Sequence, residues 1–361
     1  MAATTALPSS TASSHPHIQP QTHYQSPAPS SSADSGTGTS VGGGGREDDD
    51  SVAFKAAIFQ RLHPRVYLER FLAEDVRPDG RVLGTVNKYN QPGCGEGGIW
   101  RDVSINVGSI NTADGSALVR MGGTTIVCGV KAEIAEPDLE KPDDGFLVPN
   151  IDLPAMCHPR FKPGPPSDEA QVLSERLSET LTSSNFISPQ SLVIHSGKAV
   201  WTLYVDATCI NYDGNVFDAA LLAMASALMN TKLPKAVYDE DTGQTICHRQ
   251  PTSCLSINGL PLSTTFGIFD STYILTDPTA FEEPLLDGTI TIITGEASAS
   301  EAELLSVIQQ GLGVVYPGSE SDLVGENALS ACITAAKARR RELAKIVRDA
   351  VAAGVNRQTD A

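Results

Sequence analysis

The chain has 361 residues and a formal net charge of −17, of which the first fifty residues contribute −4 and the remainder −13. A self-sufficient nucleic-acid binder normally shows a basic excess, so any such contact here needs a local patch or charge supplied by partners. No apolar run reaches membrane-spanning length and no charged-then-apolar leader opens the chain, so no membrane partner is expected.

Residues 1–50 are rich in Ser, Thr, Pro, Gly, Gln and His and offer almost nothing to bury, which predicts a disordered tail. Its His15, His17 and His23 belong to that solvated segment. A helical segment follows over 51–76. Phe54, Ile58, Phe59 and Leu62 recur at helical spacing, Pro64 interrupts, and Val66 to Leu72 form a second short helix. Arg77-Pro78-Asp79-Gly80 reads as a turn.

Val103, Ile105 and Val107 alternate, as on a strand with one buried face. Gly115 opens the next run, and Gly122-Gly123 makes the tight turn before Thr124–Val130. Residues 137–149 and 161–166 read as polar loops. Ser167 or Asp168 caps a helix whose Val172, Leu173, Leu177 and Leu181 share a face. Leu192–Ile194 leads into a Ser196-Gly197-Lys198 turn, and Trp201, Leu203 and Val205 alternate in a long strand. Asp213-Gly214-Asn215 opens an apolar helix over 216–229, with Asp213 read as its N-cap and Asp206 as a strand residue.

In the second half, 239–250 reads as a polar insertion. Strands are expected at 254–257, 265–269, 273–275 and 289–293. A Ser300-x-x-Glu303 box predicts a helix there, and a last helix runs from about Asn327 to Ala353. Its Lys337, Arg339, Arg340, Arg341 and Lys345 read as a solvated face.

Gly93 to Gly98 matches Gly-x-Gly-x-x-Gly, but a strand and not a helix follows, so it is a hairpin loop and no dinucleotide site. Cys247, His248 and Cys254 lack a fourth ligand and a Cys-x-x-Cys turn, so no metal or other cofactor is expected. The seven cysteines sit mostly in apolar or strand-like surroundings, as reduced buried thiols do.

The run Arg77-Pro78-Asp79-Gly80-Arg81, the strand pair through Gly123-Thr124-Thr125-Ile126-Val127-Cys128-Gly129-Val130, and Pro149-Asn150-Ile151-Asp152-Leu153-Pro154 with Arg160-Phe161 and Gly164-Pro165-Pro166 carry a resemblance. They resemble the RNase PH family, and within it the ring subunits of the eukaryotic RNA exosome, the ribosomal RNA-processing group. The resemblance runs from about Phe54 to Val351. It implies an α/β fold, a two-layer α+β arrangement of two similar halves at 77–234 and 235–356. It implies other RNase PH-like ring subunits, an RNA-binding cap subunit and single-stranded RNA as partners, and a place in the nucleus, nucleolus and cytoplasm.

Active relatives place an arginine after a glycine in the turn before the central strand, and two aspartates six apart in the second half. The matching positions here are Lys198 with Ala199, and Asp277 with Glu283, with Glu282 as a one-residue alternative to Glu283. Lys198 offers a point charge where arginine offers a fork, and Ala199 offers nothing. A degenerate, non-catalytic ring subunit is therefore expected, the alternative being an active phosphate-dependent 3′→5′ exoribonuclease. For RNA contact the resemblance points to Arg176, and Lys198 is the second candidate. The competing reading of Arg176 is an intrahelical ion pair with Glu175 or Glu179.

Overall fold

The computed structural model describes residues 46–83, 100–298, 301–311 and 323–359. The chain divides into two units, Met1–Lys55 and Ala56–Ala361. In the first unit, Arg46 to Lys55 are helical, the opening turns of α1 (Arg46–Leu62). Arg46 to Asp50, read from composition as tail, thus belong to a helix; residues 1–45, with the three tail histidines, lie outside the described residues. So do Cys94 and the Gly93–Gly98 loop.

In the second unit, α2 (Pro64–Ala73) starts at the proline, which tolerates the first helical turn because its missing N–H would be unpaired there anyway. The meander follows as β1 (Val103–Val107), β2 (Gly115–Met121) and β3 (Thr124–Ala135), all antiparallel, with Gly122 at φ +55 in the tight turn. β4 (Phe146–Asp152) precedes α3 (Asp168–Ser183), whose Ser167 hydroxyl accepts the Ala170 N–H as a side-chain cap. β5 (Val193–His195), β6 (Ala199–Asn211) and α4 (Val216–Met229) complete the first half. Then come β7 (Lys232–Asp239), β8 (Gln244–Cys254), β9 (Leu262–Phe269), β10 (Tyr273–Thr276), β11 (Gly288–Ser298), β12 (Glu301–Gly311) and α5 (Leu323–Thr359).

One sheet has the order β1-β2-β3-β6-β4, with β5 also on β6; the second has the order β10-β9-β11-β12; β7 and β8 form a ribbon. α4, buried along nearly its whole length, packs against β2, β3 and β9 and so touches both sheets. The largest core cluster mixes Val119, Ile126, Leu203 and Leu221 with Leu260, Leu262, Ile293 and Val347. The two halves therefore share one core. No helix among the described residues is long and apolar enough to cross a membrane.

Several expectations need correction. Residues 146–149 open β4, which pairs in parallel with β6. Pro149 hid it, because an edge strand tolerates a residue without an N–H. The polar insertion is the β7–β8 hairpin, and the strand expected at 254–257 ends at Cys254, leaving Ile257 in an isolated bridge to Ile187. The helix expected from about Ser300 is, from Glu301 on, the strand β12, while Ser300 itself lies outside the described residues. Its Glu-Ala-Glu-Leu-Leu run favours a helix locally, but pairing with β11 overrides propensity, and a bulge between Leu304 and Ser306 breaks the two-residue alternation. α5 extends beyond both expected ends. Val172 is exposed, whereas Leu177 and Leu181 are buried as expected. Cys247 and Cys254 are exposed, unlike the buried Cys128, Cys157, Cys209 and Cys332.

The basic run of α5 is not all solvated. Arg339 and Arg340 are buried. Arg339 donates to the Arg101 carbonyl at 3.1 Å, and Arg340 donates to the carbonyls of Leu260 at 2.7 Å and Thr294 at 3.0 Å. Arg340→Ala leaves two buried carbonyls unpaired, and an expected loss of about 1–3 kcal/mol follows. Arg341→Ala, on an exposed site, stays within about 0.5 kcal/mol. Thermal unfolding of both variants checks the difference.

Candidate functional site

The turn between β6 and α4 positions the site. Gly214, at φ +78, lets the backbone of Pro278 to Ala280 approach so closely that an added Cβ would lie 2.5 Å from the Thr279 carbonyl carbon. Asn215, also left-handed at φ +52, occupies the N-cap position of α4 but does not cap it with its side chain. The N-cap is therefore Asn215, not Asp213. Asp213 instead places a carboxylate oxygen 3.7 Å from Arg101 Nη1.

Asp277 enters from the end of β10, buried and at φ +49. Arg101 Nε donates to Oδ2 at 2.8 Å and Nη2 to Oδ1 at 2.6 Å, a two-pronged guanidinium–carboxylate pair. Asn215 Nδ2 adds a bond to Oδ1 at 2.7 Å, and Arg81 Nη1 lies 3.7 Å from Oδ2. Burial works to raise the Asp277 carboxyl, but the Arg101 fork, Asn215 and Arg81 override it and bring it down to about 2. Arg101 also donates to the carbonyls of Asp213 at 2.7 Å and Gly214 at 3.2 Å. One guanidinium thus joins the first half of the chain to the second.

Glu282 is buried and paired with Arg77, whose Nε donates to it at 2.8 Å. Its other oxygen accepts Thr279 N–H at 2.8 Å and the Thr279 hydroxyl at 3.0 Å. The neighbouring Glu283 faces a different way. It accepts the Asn215 backbone N–H at 2.7 Å and the Tyr212 hydroxyl. The Glu283 carboxylate is thus tied to the residue just before α4. Burial pushes the Glu283 carboxyl up, against the Tyr212 and Asn215 bonds that hold it down. Burial, then Glu283, pushes the Tyr212 hydroxyl up as well. Asp277 and Glu283 therefore meet through Asn215, with opposite shifts.

A cleft of about 540 Å³ opens beside Glu283, walled by α3, the start of α4 and the strands β11 and β12. Arg160 and Arg176 supply its positive charge, and Val172, Phe217 and Ile308 part of its apolar lining. Arg160 pairs with Glu169 and lies over the rings of Phe161 at 5.1 Å and Tyr212 at 5.0 Å. Arg176 lines the cleft, and among the described residues no ion pair joins it to Glu175 or Glu179.

Lys198 and Ala199 stand elsewhere. Lys198 is exposed in the β5–β6 turn beside Pro142, and Ala199 is buried as the first residue of β6. Asp277 and Glu283 lie past the other end of that 13-residue strand, on the order of 40 Å away at about 3.3 Å per residue. Lys198 cannot share a site with Arg176 or the acid pair. The glycine turn that does face the acids is Gly214-Asn215-Val216, which has no arginine either.

Arg77, Arg81, Arg101, Asn215 and Tyr212 were missed as site residues. The Arg77–Arg81 run was legible only as a turn, and nothing in Trp100-Arg101-Asp102 announces a buried guanidinium. Among the described residues no three His, Cys, Asp or Glu side chains gather as a metal site.

Comparisons with known proteins bear on this geometry. The family described as 3′ exoribonuclease family, domain 1 (RNase PH), matches residues 100–234. The exosome complex component rrp43 of Schizosaccharomyces pombe is 41% identical over 266 residues, 74% of this chain and 92% of that protein. The exosome complex component Rrp42 of Thermococcus gammatolerans is 35% identical over 252 residues, 70% of this chain and 87% of that protein. A solved Archaeoglobus fulgidus exosome with RNA bound to the active site superposes with a TM-score of 0.60 at 29% identity, over 77% of this chain and 96% of that one. An archaeal exosome core gives 0.57 at 26% identity, over 82% and 99%.

The pairing of Asp277 has a pH signature. A carboxyl lowered in the folded state stabilises fully above its unfolded value near pH 4 and loses that contribution as pH falls through about 2. The expected loss across that window is about 2 kcal/mol. Denaturant unfolding at stepped acid pH measures it, and Asp277→Asn, already destabilised, is expected to lack that part of the acid limb.

Proposed function

Because the chain belongs to the RNase PH family of exosome components, we propose that it serves as a ring subunit that builds the wall of an exosome core without catalysing phosphorolysis itself. One observation carries this reading: both acids expected for chemistry are already engaged within the chain. Asp277 is held ionised by Arg101 and has no proton to give near neutral pH. Glu283 is bonded to the Asn215 N–H, just before α4, and to the Tyr212 hydroxyl. The turn facing them offers Asn215 and Val216 in place of a phosphate-gripping arginine.

In this reading the neighbours are other RNase PH-like subunits, with an RNA-binding cap subunit above the ring, acting in the nucleus, nucleolus and cytoplasm. Single-stranded RNA passes along the ring towards a nuclease elsewhere. Arg176, which lines the cleft, is the cation that supports the RNA contact. The chain's net charge of −17 is compatible with this, since a ring pools charge from several subunits.

One observation favours the runner-up, an active phosphate-dependent 3′→5′ exoribonuclease. Glu283 is raised by burial and sits in a cleft beside two arginines, as a general acid does. The two readings separate cleanly. In a reconstituted ring, Glu283→Gln is expected to leave phosphate-dependent release of nucleoside diphosphates unchanged. A drop of about a hundredfold, the size of a lost acid, promotes the runner-up. Arg176→Glu is expected to weaken RNA protection by the ring in a salt-dependent manner, with phosphorolysis elsewhere unaffected.

A further inference from the structure

Around Asn215 the donors of the cleft are already committed. The Asn215 N–H, at 2.7 Å, and the Tyr212 hydroxyl both donate to Glu283. Asn215 Nδ2 donates to Asp218 Oδ2 at 2.8 Å and to Asp277 Oδ1 at 2.7 Å. The Thr265 hydroxyl donates to Asp218 Oδ1 at 3.0 Å, so in its 3.1 Å contact with the Thr291 hydroxyl, Thr291 is the donor. Asn215, Tyr212, Thr265, Thr291 and Glu283 all line the cleft. What they offer a ligand is lone pairs.

Asn215 is only 4% exposed, and its Oδ1 has no hydrogen-bond partner among the described residues. The orientation of that amide is fixed. With its oxygen and nitrogen exchanged, the oxygen would face two carboxylates, so Asp218 and Asp277 hold the acceptor end free. A buried acceptor without a donor is destabilising, and a ligand that brings a donor offsets this.

Charge and shape narrow the ligand. Phosphate would bring acceptors to acceptors here. The lining carries the carboxylates of Asp168, Glu169 and Glu283 against the guanidinium groups of Arg160 and Arg176, and Arg160 is paired with Glu169. Val172, Phe217 and Ile308 add apolar wall. A positive group with several N–H donors on an alkyl stem fits all of these features.

We propose that the cleft binds a primary alkylammonium group, with its N–H donors on Asn215 Oδ1 and the Glu283 carboxylate and its stem along the apolar wall. A free polyamine and a lysine side chain of a partner share that chemistry. The proposal rests on the non-catalytic reading of this cleft and is independent of membership in a ring.

Titration of the full chain with n-butylammonium, spermidine, N-acetyl-lysine methylamide, butyrate and inorganic phosphate at fixed ionic strength tests it, read by calorimetry and by the Asn215 side-chain amide NMR signal. The ammonium ligands are expected to bind saturably and to shift that signal, which butyrate and phosphate leave in place. Glu283→Gln is expected to weaken ammonium binding about tenfold, the size of a lost charge-assisted hydrogen bond. Val172→Lys, at an exposed position, brings a competing ammonium and is expected to weaken binding by a similar factor; an unchanged unfolding temperature shows that this loss is not misfolding. Spermidine bound without the blocked lysine supports the proposal with a free polyamine as occupant, and both bound supports it with a partner's lysine. Phosphate bound in place of ammonium overturns the proposal together with the non-catalytic reading. Ammonium binding that both substitutions leave unchanged, or no binding of any ligand, overturns the proposal alone.

Discussion

The Arg101–Asp277 pair is the interaction on which the rest of the site depends. Both side chains are almost completely buried, and an ionised pair survives there only if its remaining donors and acceptors are met. They are: Arg101 serves two carbonyls of the Asp213–Gly214 turn, and Asp277 accepts from Asn215 as well. The two left-handed residues, Asn215 and Asp277, are bonded to each other, so the backbone cost of each is met by the same network. Arg77 and Arg81 hold the carbonyls of Thr276 and Asp277 from the other side. Three guanidinium groups thus fasten one short segment of the second half onto the first.

That fastening explains how an acid six residues before Glu283 becomes structural. A group held ionised by a fork of hydrogen bonds is a poor proton donor near neutral pH. Glu283 is raised by burial and set in the cleft, yet it is bonded to the Asn215 backbone N–H and to Tyr212. The cations of the cleft are Arg160, already paired with Glu169, and Arg176, and Asp168 and Glu283 stand with them in the lining.

Much of the first half was legible in the sequence, because its strands are half-buried and alternate cleanly, as Val103, Ile105 and Val107 do. The uniformly apolar α4 was equally plain. The failures share a cause: wherever tertiary pairing supplied the order, local pattern misled. β4 is an edge strand interrupted by proline, the β7–β8 ribbon is polar because little covers it, and β12 is spelled in helix-forming residues around a bulge. At the site, the acid pair could be read from spacing, but its partners lie far off in sequence, 176 positions between Arg101 and Asp277. Lys198 was matched to a glycine turn by local sequence alone. Only the length of β6 shows that this turn is at the wrong end of the sheet.

The central claim is that Asp277 is a structural anchor and not an available acid. A double-mutant cycle on Arg101→Ala and Asp277→Ala, read by denaturant unfolding of the full chain, tests it most directly. Each single variant is expected to lose about 3–5 kcal/mol, since each strands a buried charge, while the double variant loses little more than either. Additive losses, with a coupling energy near zero, would contradict the account.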